Sequence, residues 1–141
     1  MKLAAALHIL LAILLTGCCC GFNREWKRAA VQPVDTNSLA GRWEGLWMSD
    51  RNGHNGKLRC LINTNGEARF HARYWKVLTF GYTLPLQVQR SNDVFRFVGE
   101  ADLGKLAGGV YRCDGTASGT NFHSAYRSKY DHGYFKMGRV N

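Results

Sequence analysis

Imidazoles and thiols are the side chains of this sequence whose placement could do chemistry. His54 falls in the stretch Asp50-Arg51-Asn52-Gly53-His54-Asn55-Gly56, and Asp131-His132 stand just before the last apolar segment. If those stretches meet, His54, Asp131 and His132, with Asp50, form a set that could bind a metal or pass a proton as acid and base. All of them also sit among Asn and Gly, where polar side chains are the default of a turn, so metal-assisted catalysis ranks last of three functional readings. Nucleophilic chemistry has less behind it. Ser124 and Ser128 lack the G-x-S-x-G setting of a nucleophile elbow. No C-x-x-C or H-x-x-x-H pair occurs in 39–141, and Gly108-Gly109 alone is no phosphate loop. The expectation is a protein that is not an enzyme and uses no cofactor.

The N-terminus carries a firmer signal. Lys2 precedes an apolar run, Leu3 to Leu15, broken only by His8. Thirteen residues at the helical rise reach about 20 Å, short of the roughly 30 Å hydrocarbon core, so 1–17 reads as a signal peptide. The run ends in Leu15-Thr16-Gly17-Cys18, which resembles the lipobox of bacterial lipoproteins: a branched apolar residue, two small residues, then the cysteine. The resemblance implies cleavage before Cys18, a diacylglycerol thioether on its sulfur and a palmitate-type acyl chain on its nitrogen. Two or three chains anchor stably where one would be marginal. In diderm bacteria an Asp after the lipidated cysteine retains the protein at the inner membrane; Cys19 stands there, so the resemblance implies the outer membrane. An ordinary secretory signal, or a short uncleaved anchor, is the alternative.

Export changes the meaning of the charge. The chain has 19 Lys+Arg against 10 Asp+Glu, a net +9. Loss of 1–17 removes Lys2 and no acid, leaving 18 − 10 = +8 on 124 residues. Nucleic acid is scarce beyond the inner membrane, so these cations are expected to face phospholipid, other anionic envelope polymers, a protein partner or water. The mixed run Arg69-Phe70-His71-Ala72-Arg73-Tyr74-Trp75-Lys76 would suit a base-stacking platform, but strand alternation also puts its aromatics in the core and its cations outside. No nucleic-acid partner is expected. In an oxidising compartment Cys60 and Cys113 could close a loop of about fifty residues, worth about 4 kcal/mol, or remain two buried thiols; both stay open.

The elements that must position these groups read as strands. The length fits one domain. Residues 18–38 carry Arg24, Lys27, Arg28 and Pro33 without sustained periodicity and read as a lipidated N-terminus and flexible tether, with Trp26 among cations suited to a membrane interface. From Leu39 the chain alternates strand-length segments with turn chemistry: Arg42–Met48, Lys57–Ile62, Glu67–Tyr74, Phe80–Val88, Val94–Gly99, Val110–Cys113, Asn121–Ser128 and Tyr134–Val140. Period-2 alternation and hairpin signals such as Asn65-Gly66 predict an all-β fold, a single small antiparallel up-and-down barrel of about eight strands over 39–141. Pro85 predicts an interruption in its ladder.

The first segment opens Gly41-Arg42-Trp43, similar to the G-x-W of lipocalins, avidins and fatty-acid-binding proteins, the calycin-type barrels. There the Trp plugs the closed end and an Arg of the last strand packs across it. The resemblance implies a barrel floor made by Trp43 and Arg139. The middle lipocalin motif is absent, Tyr130-Asp131-His132 not reproducing it. The region 39–141 also resembles a group of small exported bacterial proteins beginning G-x-W-x-G-x-W.

Eight strands enclose a space that side chains can just fill, or that leaves room for one small ligand. The main expectation is therefore a lipid-anchored, non-enzymatic envelope protein presenting a small barrel for binding or structural contact. The alternative is a lipocalin-like carrier of a small apolar or aromatic ligand, held by Trp47, Tyr74, Tyr82, Tyr111 and Tyr126. A solvent-connected pocket lined by several of these favours the carrier; a filled interior removes it.

Overall fold

A computed structural model of the chain describes residues 21–75 and 77–141. The stretch expected to be a signal peptide and lipobox, with Cys18, lies outside the described residues. Eight strands follow in order: β1 (Gly41–Ser49), β2 (Asn55–Ile62), β3 (Glu67–Tyr74), β4 (Leu78–Ser91), β5 (Val94–Asp102), β6 (Val110–Ala117), β7 (Asn121–Arg127) and β8 (His132–Val140), with one 3-10 turn at Lys105–Ala107. Each strand pairs antiparallel with the next, and β8 returns to β1 from Arg42↔Val140 to Ser49↔Gly133. The result is the expected closed up-and-down barrel. Its two ends differ. The β2–β3, β4–β5 and β6–β7 turns cap a floor, and the β1–β2, β3–β4, β5–β6 and β7–β8 connections ring a mouth.

Alternation builds the interior. In β7 the odd-numbered positions are exposed, while Phe122, Ser124 and Tyr126 are buried; β6 buries Tyr111, Cys113 and Ala117 in the same rhythm. At the floor the fully buried Trp43 meets Phe122 at 5.5 Å between ring centres, and Phe122 stacks on Phe97 at 4.6 Å. Above them five rings from five strands close a circuit around the axis: Phe70–Tyr82, Tyr82–Tyr111, Tyr111–Tyr126, Tyr126–Phe135 and Phe135–Phe70, with centroids 4.7 to 5.8 Å apart. Such offset and tilted aromatic pairs add to the stabilisation that burial alone supplies.

β4 departs from expectation in its reach. It runs to 14 residues, pairing with β3 over Leu78–Pro85 and with β5 only over Leu86–Ser91. The ladder to β5 ends where Pro85 has no N–H to donate. Phe80 and Val88, which alternate onto the same face as Tyr82, Leu84 and Leu86, are 47% and 40% exposed, because the strand overshoots the core at both ends.

The tether reading fails over its first half. Residues 21–29 form a helix, α1, lying on the outer face of β1–β3. Phe22 and Trp26, one turn apart and stacked, are 3% and 7% exposed. Phe22 stacks on His71 at 4.9 Å, Trp26 is flanked by the guanidinium groups of Arg42 and Arg59 at 5.3 and 5.1 Å, and Glu25 pairs with Arg69. Apolar rings at i and i+4 bury more surface on a strand face than an extended tether could. Trp26 is thus committed to the barrel wall rather than free for a membrane interface. Among the described residues no helix is long and apolar enough to cross a membrane.

Cys60 and Cys113 are both buried, and the structure holds them as free thiols rather than a bridge. Burial pushes both up, Cys113 to about 11, so neither is a ready thiolate.

Candidate functional site

The mouth of the barrel holds a cup. Above the ring of aromatics, a cavity of about 290 Å³ opens to solvent. Trp47, Tyr74, Tyr82, Tyr111 and Tyr126 all line it, together with Asp131. Five residues named from alternation alone are therefore brought to one surface by β1, β3, β4, β6 and β7. Phe80 and Tyr130 extend the wall upward, and Phe135 completes the bottom. Further exposed apolar side chains gather at the same end: Trp75, Val77, Leu78, Leu106 and Val110.

Local structure fixes each wall. On one side Trp47 stacks on Tyr74 at 5.9 Å, and Tyr74 on Trp75 at 5.7 Å. The Trp47 indole N–H crosses β2 to donate to the Arg73 carbonyl at 3.1 Å. It can do so because Gly56, its ladder partner, has no side chain; a Cβ there would lie 1.9 Å from the Arg73 oxygen and 2.8 Å from the indole nitrogen. Gly56 had the look of a turn residue, but it sits inside β2, its role visible only once Trp47 is placed. On the other side, the Tyr82 hydroxyl donates to the Tyr111 oxygen at 3.0 Å. The Tyr126 hydroxyl donates to Asp131 Oδ2 at 2.9 Å. Loss of surrounding water pushes all three phenols up, with the Asp131 bond and charge adding at Tyr126. These three phenols are thus neutral at any physiological pH.

The last-ranked reading grouped Asp131 with His54 and His132 as a metal or acid–base set, but its carboxylate is used otherwise. Its Oδ1 accepts from the buried Ser49 hydroxyl at 2.5 Å and from the His132 backbone N–H at 2.9 Å. His54 instead shares a 2.7 Å hydrogen bond between Nδ1 and the Tyr74 hydroxyl. Among the described residues no three His, Cys, Asp or Glu side chains come together in a way that could hold a metal ion. Ser49 is the residue that sequence reasoning missed: one buried hydroxyl at the end of β1 ties that strand to the β7–β8 turn. Ser124 donates to the Asp114 and Ala125 carbonyls, a structural use of the hydroxyl.

The floor is built as a clamp. Arg139 stacks its guanidinium over Trp43 and donates to the carbonyls of Gly119, Ala40 and Ser38 at 2.6, 2.8 and 2.6 Å. The Trp43 indole donates to the Leu39 carbonyl at 3.0 Å.

Outside the barrel, next to α1, a second cleft of about 200 Å³ is walled by Lys57, Arg59, His71 and Arg73 with Asn23 and Thr79. Burial, then the charges of Arg59 and Arg73, hold His71 below its usual range. Comparisons with protein-family models, with curated proteins and with solved structures find no match to this chain.

Proposed function

We propose that the chain is an exported, lipid-anchored envelope protein whose barrel carries a small apolar or aromatic molecule in the cup at its mouth. The observation that carries this reading is the convergence of Trp47, Tyr74, Tyr82, Tyr111 and Tyr126 on one solvent-connected cavity. At about 290 Å³ it lies at the small end of the roughly 300–1,000 Å³ typical of ligand sites, room for one or two rings. Phenol and indole walls already stacked on each other are pre-organised, which lowers the cost of binding. The Trp43–Arg139 clamp supports the likeness to calycin-type barrels, which hold ligands above such a floor. The signal peptide and lipobox support anchorage through Cys18, at the outer membrane in a diderm source.

A second contact is favoured by the outer cleft. Lys57, Arg59 and Arg73 face out beside α1, and α1 exposes Arg24, Lys27 and Arg28, a few residues after Cys18. That basic face suits anionic envelope components such as phospholipid headgroups.

Native mass spectrometry of the protein extracted from its host's envelope tests the whole reading at once. The expected mass is that of a chain beginning at lipidated Cys18, with an adduct of a few hundred daltons. An unlipidated chain removes the anchor; an empty chain that takes up no apolar probe removes the carrier.

A further inference from the structure

The charge of the cup is opposite to the charge of the protein. Among the described residues twelve line it: eight are aromatic, none is Lys, Arg or His, and one is acidic, Asp131, in a chain with nine more cations than anions. We propose that the ligand of the cup is an organic cation, a small molecule whose ammonium group lies over the tyrosine and tryptophan faces and is paired with Asp131. The proposal rests on the reading of the cup as a ligand site and assigns the ligand's chemical class.

The argument turns on what Asp131 lacks. An ionised carboxylate offers about four acceptor positions. Ser49 and the His132 N–H take those on Oδ1, and Tyr126 takes one on Oδ2, leaving one that no donor among the described residues fills. Among the described residues the ion pairs are Arg59–Glu44, Arg69–Glu25 and Arg112–Glu100; Asp131 is in none of them. Arg51, the nearest guanidinium in sequence to Ser49, spends its Nη1 on the Tyr130 carbonyl. Three bonds hold the carboxylate in place, but none of them brings a positive charge.

Ligand classes then separate. An apolar or aromatic guest without a charge displaces water from the carboxylate and supplies no charge in return, so it gains less from the cup than a cation of the same shape. An anion would meet like charge. A cation supplies the missing charge and meets the negative faces of the rings, the arrangement of aromatic cages for ammonium groups. Burial pushes the phenols of Tyr82, Tyr111 and Tyr126 up, so these rings add no charge to that of Asp131. The rim already shows the interaction: the Lys129 ammonium lies 5.6 Å from the centre of the Tyr130 ring.

The test compares choline with its uncharged isostere 3,3-dimethylbutan-1-ol by calorimetric titration of the full protein, purified from its host in a maltoside detergent. Choline is expected to bind about tenfold more tightly or better, the scale of a few ion–ring contacts. Asp131→Asn should bring the two within about threefold, with choline losing affinity and the alcohol, which no longer strips water from a carboxylate, not losing any. If the alcohol binds as well as choline to the native protein, or if benzoate binds better than either, the cationic assignment is overturned while the cup survives. If a native adduct is present and neither choline nor phenyltrimethylammonium binds, the assignment fails on its own. If nothing binds at all, it falls together with the carrier reading. Because the isostere pair is read on the native protein, misfolding of Asp131→Asn does not spare the proposal.

Discussion

The guanidinium carbon of Arg139 lies 4.2 Å from the centre of the Trp43 ring, so the last strand is clamped over the first across the closed end. Trp43 has no exposed surface, and its removal leaves a cavity that three backbone-bonded guanidinium nitrogens cannot collapse into. Trp43→Ala is expected to cost about 3–5 kcal/mol. Arg139→Lys, which keeps the charge but loses the planar fork and most of the three carbonyl bonds, should cost about 1–3 kcal/mol. Urea denaturation of both variants checks the order; a Trp43→Ala protein as stable as the native one would sink the floor assignment.

Gly56 is a space requirement rather than a turn requirement. Gly56→Ala puts a methyl group 1.9 Å from the Arg73 oxygen and 2.8 Å from the Trp47 indole nitrogen. Overpacking of this kind costs about 1–3 kcal/mol, and here it must also break the bond from Trp47 to Arg73. The indole N–H resonance of Trp47 should shift and its exchange with solvent accelerate. An unmoved resonance would mean that the indole does not cross β2.

His71 should make the docking of α1 sensitive to pH. Its ionisation lies below the usual 6.5, through burial first and then the charges of Arg59 and Arg73. The folded protein therefore takes up that proton less readily than the unfolded chain. The contribution is fully present above about pH 6.5 and is lost as pH falls through the folded value. Phe22 stacks on this ring, so α1 loosens first. Trp26 fluorescence and urea midpoints should fall as pH drops below about 6.5 in the native protein, and His71→Gln should flatten that slope.

The barrel was legible because alternation is strict: β3 runs Glu67–Tyr74 as expected, and the five cup residues follow from which side of each strand faces in. What stayed hidden depends on partners distant in sequence. The 82-residue separation of Ser49 and Asp131 leaves no local trace, and His54 and Asp131 share a barrel end without sharing a bond. α1 was missed for another reason. Its two buried rings, Phe22 and Trp26, show the i, i+4 spacing of a helix face, but nine residues give too few turns for the period to stand out. Gly56 misled because Asn55-Gly56 has turn composition, while the close approach that requires glycine comes from Trp47 and Arg73.

Because β8 pairs with β1 along its whole length, the strands follow one another in a cycle, and Arg42 even reaches the carbonyl of Asn141 at 2.6 Å. The pairing is thus a cycle that a cut in any one turn would leave complete. A circular permutant joined from 141 to 39 by a short linker and opened at Asn65-Gly66 keeps every ladder and leaves its new ends at the floor. Opened at Asn52-Gly53, it would instead present both ends beside the cup, where reporter groups could be attached within reach of a bound guest.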